Sequence, residues 1–264
     1  MNNDNDMVNN GAIDCSDTPS VMLSKNKYGG NKEIRSIVEI FTFFLMMRTK
    51  ARKYADLIDH PRLIQPGHPR FASIAGQWRS SFFCPVERVV LELACGRGEY
   101  SQTLSGVDQR TGWVGVDIRA DRMWHGIRFA DEHDRPNMLF LRTIIHHLDR
   151  YFLPGEVDEI RIIHPDPRPR GADERRRLTS FRFLPLYERL LKPGGIVRIK
   201  TDHIGLYTYS MESFASHGWV CGAHTDDVDS SPLLADHHGI QTHYEKKARA
   251  SGLSICYAWR TKPL

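Results

Sequence analysis

Short apolar runs alternate with mixed spacers from Arg88 onward. The runs are VVLELA (89–94), WVGVDI (113–118), MLFLRT (138–143), VDEIRIIH (157–164) and IVRIKT (196–201). Each has the length and the β-branched or aromatic content of a strand. The spacers at 98–106, 119–133, 145–152, 178–191 and 205–217 predict helices, with LKPGG (191–195) as a helix stop followed by a turn. Strand and helix in strict alternation imply βαβ units and a parallel sheet wound on both faces, an α/β Rossmann-like architecture. LSICYAW (253–259) is one more apolar strand with no helix after it, a candidate late antiparallel strand. Between it and the fifth run, 221–252 is polar and irregular, suited to a binding loop.

The first part of the chain follows another pattern. Residues 1–31 are rich in Asn and Asp and poor in large apolar groups, the composition of a disordered segment. Residues 34–47 are strongly apolar, but the run is too short to span a bilayer and Glu39 interrupts it. It differs from a signal peptide in its long acidic lead and in lacking a small-residue cleavage site. The segment starting at Met46 or Met47, MRTKARKYADL, reads equally well as a fresh basic N-terminus. The expected organisation is an N-terminal extension (1–46), a basic lead-in broken by Pro61, Pro66 and Pro69 (47–87), and one catalytic domain (88–264).

Composition narrows the function little. The 264 residues carry 36 Lys and Arg against 32 Asp and Glu, a net +4 that permits a polyanionic partner without demanding one. The five cysteines (Cys15, Cys84, Cys95, Cys221 and Cys256) are odd in number and form no C-x-x-C pair. That argues against a disulfide framework or a cysteine zinc site, and for a reducing, cytoplasmic compartment. The doublets His146-His147 and His237-His238 lie far apart in sequence, so no metal is expected. No membrane association is expected either.

Ligands of open α/β sheets sit at the carboxyl ends of the strands, and the unusual residues gather there. Glu92-Leu-Ala-Cys-Gly-Arg-Gly-Glu99 follows the first strand, and Gly96 and Gly98 let its backbone turn tightly and approach a ligand. Ser101 stands where the dinucleotide fingerprint needs its third glycine, which disfavours a nicotinamide oxidoreductase. Asp117, ending the second strand, is suited to a ribose diol or, more plainly, to capping the next helix. His164-Pro-Asp-Pro-Arg-Pro-Arg170 closes the fourth strand, and its prolines stiffen the loop around Asp166. Arginines 168, 170, 175, 176, 177 and 182 then make a basic strip fit for a nucleic-acid backbone or a solvated face. Thr242-His-Tyr-Glu245, with Lys246, Lys247 and Arg249, is either a substrate loop or an amphipathic helix packed on the sheet.

The Glu92 glycine loop resembles the E/D-x-G-x-G-x-G loop of S-adenosylmethionine methyltransferases, with Ala94 in place of the first glycine. From about Arg48 the chain is similar to bacterial tRNA (guanine-N7)-methyltransferases. The resemblance runs through Gly115-Val-Asp117, Pro165-Asp-Pro167, the basic strip to Arg-Leu-Thr179, Leu191-Lys-Pro-Gly-Gly195, Thr201-Asp202 and Thr242-His-Tyr-Glu245. It implies a seven-stranded, mostly parallel sheet with a late antiparallel strand. It also implies methyl transfer from S-adenosyl-L-methionine to N7 of a guanine in the tRNA variable loop (guanine 46), by a monomer or homodimer. Carried over by position, Glu92, Gly96, Gly98, Asp117 and the region of Ile144 would contact the cofactor, and Asp166 would be the catalytic carboxylate. Arg170, Asp202, Thr242, His243, Tyr244 and Glu245 would contact the substrate.

Four positions depart from the family pattern: Ala94, Ile144, His164 (usually Phe or Asn-Phe) and Arg168 (usually aromatic). They keep open a non-catalytic RNA-binding relative; a methyltransferase of another acceptor base stays open separately, with Pro165-Asp-Pro167 in the role of the Asn/Asp-Pro-Pro loop of amino-methylating enzymes. Lys200 is read as flanking the fifth strand end or as a structural partner of Asp202.

Overall fold

A computed structural model describes residues 49–82 and 86–263. The extension, the apolar run 34–47, Cys15 and Cys84 lie outside the described residues. Residues 49–55 are helical (α1). There follow β1 (Leu63–Ile64), β2 (Arg88–Leu93), α2 (Glu99–Val107), β3 (Thr111–Asp117), α3 (Ala120–Glu132), β4 (Met138–Arg142) and β5 (Val157–Ile163). The chain continues through α4 (Leu184–Leu190), β6 (Leu191–Thr201), α5 (Ile204–Ser216), β7 (Val220–Thr225), α6 (His243–Ala250) and β8 (Cys256–Thr261). The described residues from Lys50 onward form one compact unit, so the basic lead-in belongs to the same body as the sheet.

The sheet order is β1-β4-β3-β2-β5-β6-β8-β7. β8 is antiparallel to both β6 and β7, so it alone runs against the rest. The expected seven strands become eight because the two-residue β1 adds to the outer edge of β4. Four further expectations shift. The 145–152 spacer forms a 3-10 turn over Ile145–Arg150, and the helix expected over 178–191 is confined to Leu184–Leu190. The turn at 191–195 is an interruption inside β6: Leu191 pairs with Val157 and Ile196 with Glu159, and Gly194 takes φ +73°. The irregular segment 221–252 contains β7 and α6.

Period-two alternation sorts the strand side chains onto two faces. Val89, Leu91, Leu93, Val114, Val116, Ile160, Ile162, Val197 and Ile199 join one apolar cluster, which also holds Leu190 of α4 and Phe214 of α5. Trp78 in this cluster stacks on Phe152 at 4.9 Å and donates from Nε1 to the Tyr151 carbonyl at 2.7 Å, pinning the lead-in. The opposite face packs Val90, Trp113, Met138 and Phe140 against Tyr100 and Leu104 of α2 and Met123 and Ile127 of α3. Other positions of that second parity are polar on the central strands: Glu92, Glu159, Arg161 and Lys200 are buried and Arg198 is half-buried. The parity that gives the sheet its core therefore also draws these charged groups onto the face that carries α2. No helix among the described residues is long and apolar enough to cross a membrane.

Candidate active site

The glycine loop turns the chain from β2 into α2 through three left-handed residues: Ala94 (φ +53°), Gly96 (φ +56°) and Gly98 (φ +68°). Gly98 is the N-cap of α2, and its N–H donates to the Cys95 carbonyl at 2.8 Å. A β-carbon at Gly96 would project into open space, so a ligand has room against this backbone. Ala94 bears a β-carbon in a conformation that costs an L residue about 1–2 kcal/mol. Its side chain is exposed and contributes no packing. Ala94→Gly is therefore expected to stabilise the protein by about 1 kcal/mol, after the larger unfolded-state entropy of glycine offsets part of the gain. Urea unfolding of the two proteins measures this, and an unchanged midpoint would remove the strain from Ala94.

Glu92 is buried beneath the loop. The Ser101 N–H donates to its Oε2 at 2.9 Å, and the Ser101 hydroxyl bonds the same oxygen. Burial raises the Glu92 carboxyl to about 7 against the opposing pull of the Ser101 bonds. Asp117, at the carboxyl end of β3, accepts from the Gly96 N–H at 2.9 Å and the Arg119 N–H at 3.0 Å, one per oxygen. Both carboxylates brace the loop, and Asp117 keeps acceptor capacity for a diol. Beside it two large apolar side chains stand more than half exposed: Ile118, directly after β3, and Ile144, just beyond β4. Their strands pair, with Asp117 opposite Arg142. Two exposed isoleucines flanking a carboxylate and an open glycine turn fit a nucleoside bearing a free diol. Ile118 is not among the expected site residues; the available signal was a bulky apolar residue directly after the strand-end aspartate.

β5 is the next strand to β2, so the Asp166 loop leaves the sheet beside the glycine loop. The Asp166 side chain is 61 % exposed and pairs with Arg168, whose Nε lies 3.0 Å from Oδ2 and whose N–H donates to Oδ1 at 3.3 Å. The basic strip divides in two. Arg177 donates to the Arg168 carbonyl at 3.1 and 3.2 Å and lies over the Tyr209 ring at 4.3 Å, so it braces the loop. Arg170, Arg175, Arg176 and Arg182 are exposed.

Thr242 to Glu245 resolve into the start of a helix. Thr242 is the buried N-cap of α6, accepting from the Glu245 N–H at 3.2 Å. The His243 N–H donates to Glu99 Oε2 at 2.7 Å, tying α6 to the first turn of α2. His243 and Tyr244 are exposed, as are Lys246 and Lys247. Glu245 points inward and is wholly buried, closed to a nucleobase in this conformation. Its Oε2 lies 2.5 Å from Lys200 Nζ and 3.6 Å from His164 Nε2, and its Oε1 lies 2.8 Å from Arg249 Nη2. Burial disfavours this carboxylate's charge, but His164, Lys200 and Arg249 outweigh it and hold the group down at about 2. Burial takes the Lys200 ammonium down to about 8 in spite of Glu245. One expectation changes here. Lys200 serves Glu245 and the Ile240 carbonyl (3.0 Å), while Asp202 is paired with His164 instead. Arg249 is turned onto Glu245 and Asp229.

A doubly wound sheet with one reversed strand, a glycine turn after its first long strand and a carboxylate at the end of the next define a class I S-adenosylmethionine-dependent methyltransferase. The solved 16S rRNA methyltransferase KamB shares this fold, with a TM-score of 0.54 at 18 % identity over 71 % of this chain and 92 % of that one. The family model described as "Putative methyltransferase" matches residues 86–258. A tRNA (guanine-N(7)-)-methyltransferase of Cytophaga hutchinsonii is 35 % identical over 214 residues, covering 80 % of this chain and 96 % of the relative. One from Porphyromonas gingivalis is 39 % identical over 185 residues, 70 % of this chain and 75 % of the relative. The chain belongs to the tRNA (guanine-N(7)-)-methyltransferase family.

Proposed function

We propose that this protein transfers the methyl group of S-adenosyl-L-methionine to N7 of a guanine in the tRNA variable loop, guanine 46. Family membership supports the reaction. The observation that carries the residue assignment is an exposed carboxylate, Asp166, on a proline-stiffened loop one strand away from the glycine turn, with the exposed Arg170, Arg175 and Arg182 following it in the chain. The cofactor supplies a methyl group on a sulfonium sulfur. Guanine N7 has an in-plane lone pair and no proton to lose, so the protein's task is orientation and charge management.

In this reading Asp117 receives the cofactor's diol between Ile118 and Ile144. Asp166 accepts from guanine N1–H and the exocyclic amine and favours the positive charge that the purine gains. The Arg168 contacts occupy one acceptor position on each Asp166 oxygen and leave others for the base. The exposed arginines, Lys246 and Lys247 meet phosphates and fix the register of the RNA. His243 and Tyr244 lie on the same end of α6 and contact the substrate. Glu245 acts through the helix, as the group that holds α6 in place.

The test is methyl transfer from labelled S-adenosylmethionine to unmodified tRNA, with the product nucleoside identified by mass spectrometry. The expected product is 7-methylguanosine. Another methylated nucleoside would overturn the acceptor, and binding of both ligands without product would favour a non-catalytic RNA-binding role.

A further inference from the structure

The Asp166 loop leaves β5 through His164, a non-glycine residue at φ +45°. That turn sends the imidazole back into the protein, where its side chain is 3 % exposed. Nδ1 lies 3.0 Å from Asp202 Oδ1 and Nε2 lies 3.6 Å from Glu245 Oε2, while the His164 N–H donates to the Lys200 carbonyl at 2.8 Å. One ring thus joins the reaction loop, the turn after β6 and helix α6. Nδ1 is hydrogen-bonded to Asp202, whereas Nε2 faces Glu245 Oε2 at ion-pair distance, too long for a hydrogen bond; a neutral imidazole would turn a lone pair toward one of the two carboxylates, and only the imidazolium presents positive charge to both. The surrounding charges agree. Asp202, Glu245 and Asp229 are three carboxylates, whereas Lys200 and Arg249 supply two cations. His203 and Cys256 beside Asp202, and Tyr100, whose ring centroid is 5.4 Å from Lys200 Nζ, also face the cluster.

We propose that His164 in its imidazolium form is a positioning residue for methyl transfer: by bridging Asp202 and Glu245 it fixes the Pro165-Asp166-Pro167 turn at the sheet edge and holds α6 beside it. This rests on the reading of the Asp166 loop as the reaction loop. Burial alone would push the imidazole down, but the Asp202 and Glu245 contacts prevail and raise it. The same contact is the largest cause of the lowered Asp202 carboxyl. A histidine raised in the folded state stabilises it fully below the unfolded value of 6.5, and that contribution is lost as pH rises through the folded value. Alkaline pH therefore weakens the tie between the loop and α6.

Two measurements on the full chain test this. The first is kcat and KM for tRNA between about pH 6 and pH 9, for the wild type and for His164→Asn, which keeps a side chain tolerant of positive φ. The wild-type kcat is expected to fall about tenfold or more on the alkaline side, and the variant to be uniformly low with that step absent. The second is hydrogen exchange of residues 243–250 in both proteins over the same range, corrected for intrinsic exchange, where wild-type protection is expected to drop in step with kcat. An alkaline step that persists in His164→Asn would assign it to another group, Lys200 foremost, and overturn the proposal. So would wild-type α6 protection that stays constant across the range. A wild type that makes no 7-methylguanosine at any pH would instead overturn the functional reading, and a drop in α6 protection that is present in the wild type and absent in His164→Asn would still assign the hold on α6 to His164.

Discussion

Asp166→Ala should reduce methyl transfer to tRNA by about 10³-fold, the scale seen when one group stabilising developing charge is removed. Its melting temperature should stay close to that of the wild type. The reason lies in the contrast between what Asp166 faces and what it supports. Its side chain is largely exposed, and its ion-pair partner is Arg168, 40 % exposed, in a pair of the kind that contributes about 0–1 kcal/mol. Fold and activity therefore separate cleanly at this residue. Asp166→Asn sharpens the test, since it keeps the shape and one carbonyl acceptor but loses the negative charge and adds an N–H₂ donor facing the guanine amine. It should be nearly as impaired. Turnover within a few-fold of wild type in either variant would remove Asp166 from the reaction.

Glu245→Ala should act in the opposite way, on the fold first. The carboxylate and the Lys200 ammonium are both wholly buried, and Arg249 shares the same carboxylate. Deleting one member of such a group leaves an uncompensated buried charge, at a cost of about 3–5 kcal/mol. For a unit of this size that is a fall of about 10 °C in melting temperature. The paired change Lys200→Met with Glu245→Leu removes both charges and should recover most of the loss. The pH dependence has a definite sign. A carboxylate held at about 2 contributes stability that is fully present above its ordinary value of 4.5 and is lost as pH falls toward 2. The acid limb of the wild-type stability curve should therefore be steeper than that of the doubly substituted protein. A single variant as stable as the wild type, measured by thermal unfolding, would show that Glu245 is not the anchor of α6.

Much of the fold was legible because the central strands carry long β-branched runs. β2 to β5 are almost wholly buried on both faces, and such strands stand out as apolar segments wherever they sit. The exceptions share a physical cause. β1 contributes only two residues and is defined by pairing with β4, not by any periodic pattern. β7 is an edge strand with most of its residues partly or fully exposed, so VCGAHT carries no apolar signature. α6, HYEKKARA, is short and strongly polar, and only Glu245 and Ala248 within it are buried. The candidate site was legible where backbone chemistry announces it, in the glycine turn and the Pro-Asp-Pro loop. It was not legible where partners are chosen in three dimensions. Lys200 lies two positions before Asp202, which stands just beyond the end of β6, yet serves a glutamate 45 residues further on, because α6 brings Glu245 to Lys200 and His164 takes Asp202.

The position of β8 has a kinetic consequence. β7 touches the sheet only through β8, which follows it in the chain and slots between it and β6. During synthesis the parallel strands β2 to β6 can pair as they emerge, but β7 has no neighbour and β6 keeps an unpaired edge until residues 256–261 leave the ribosome. An uncapped edge of this kind, with Ile196 to Thr201 in extended form, is a template for pairing with a neighbouring nascent chain. Translation speed through the last stretch before β8 thus sets how long that edge stays open, and slow codons there would trade yield of native protein for aggregate.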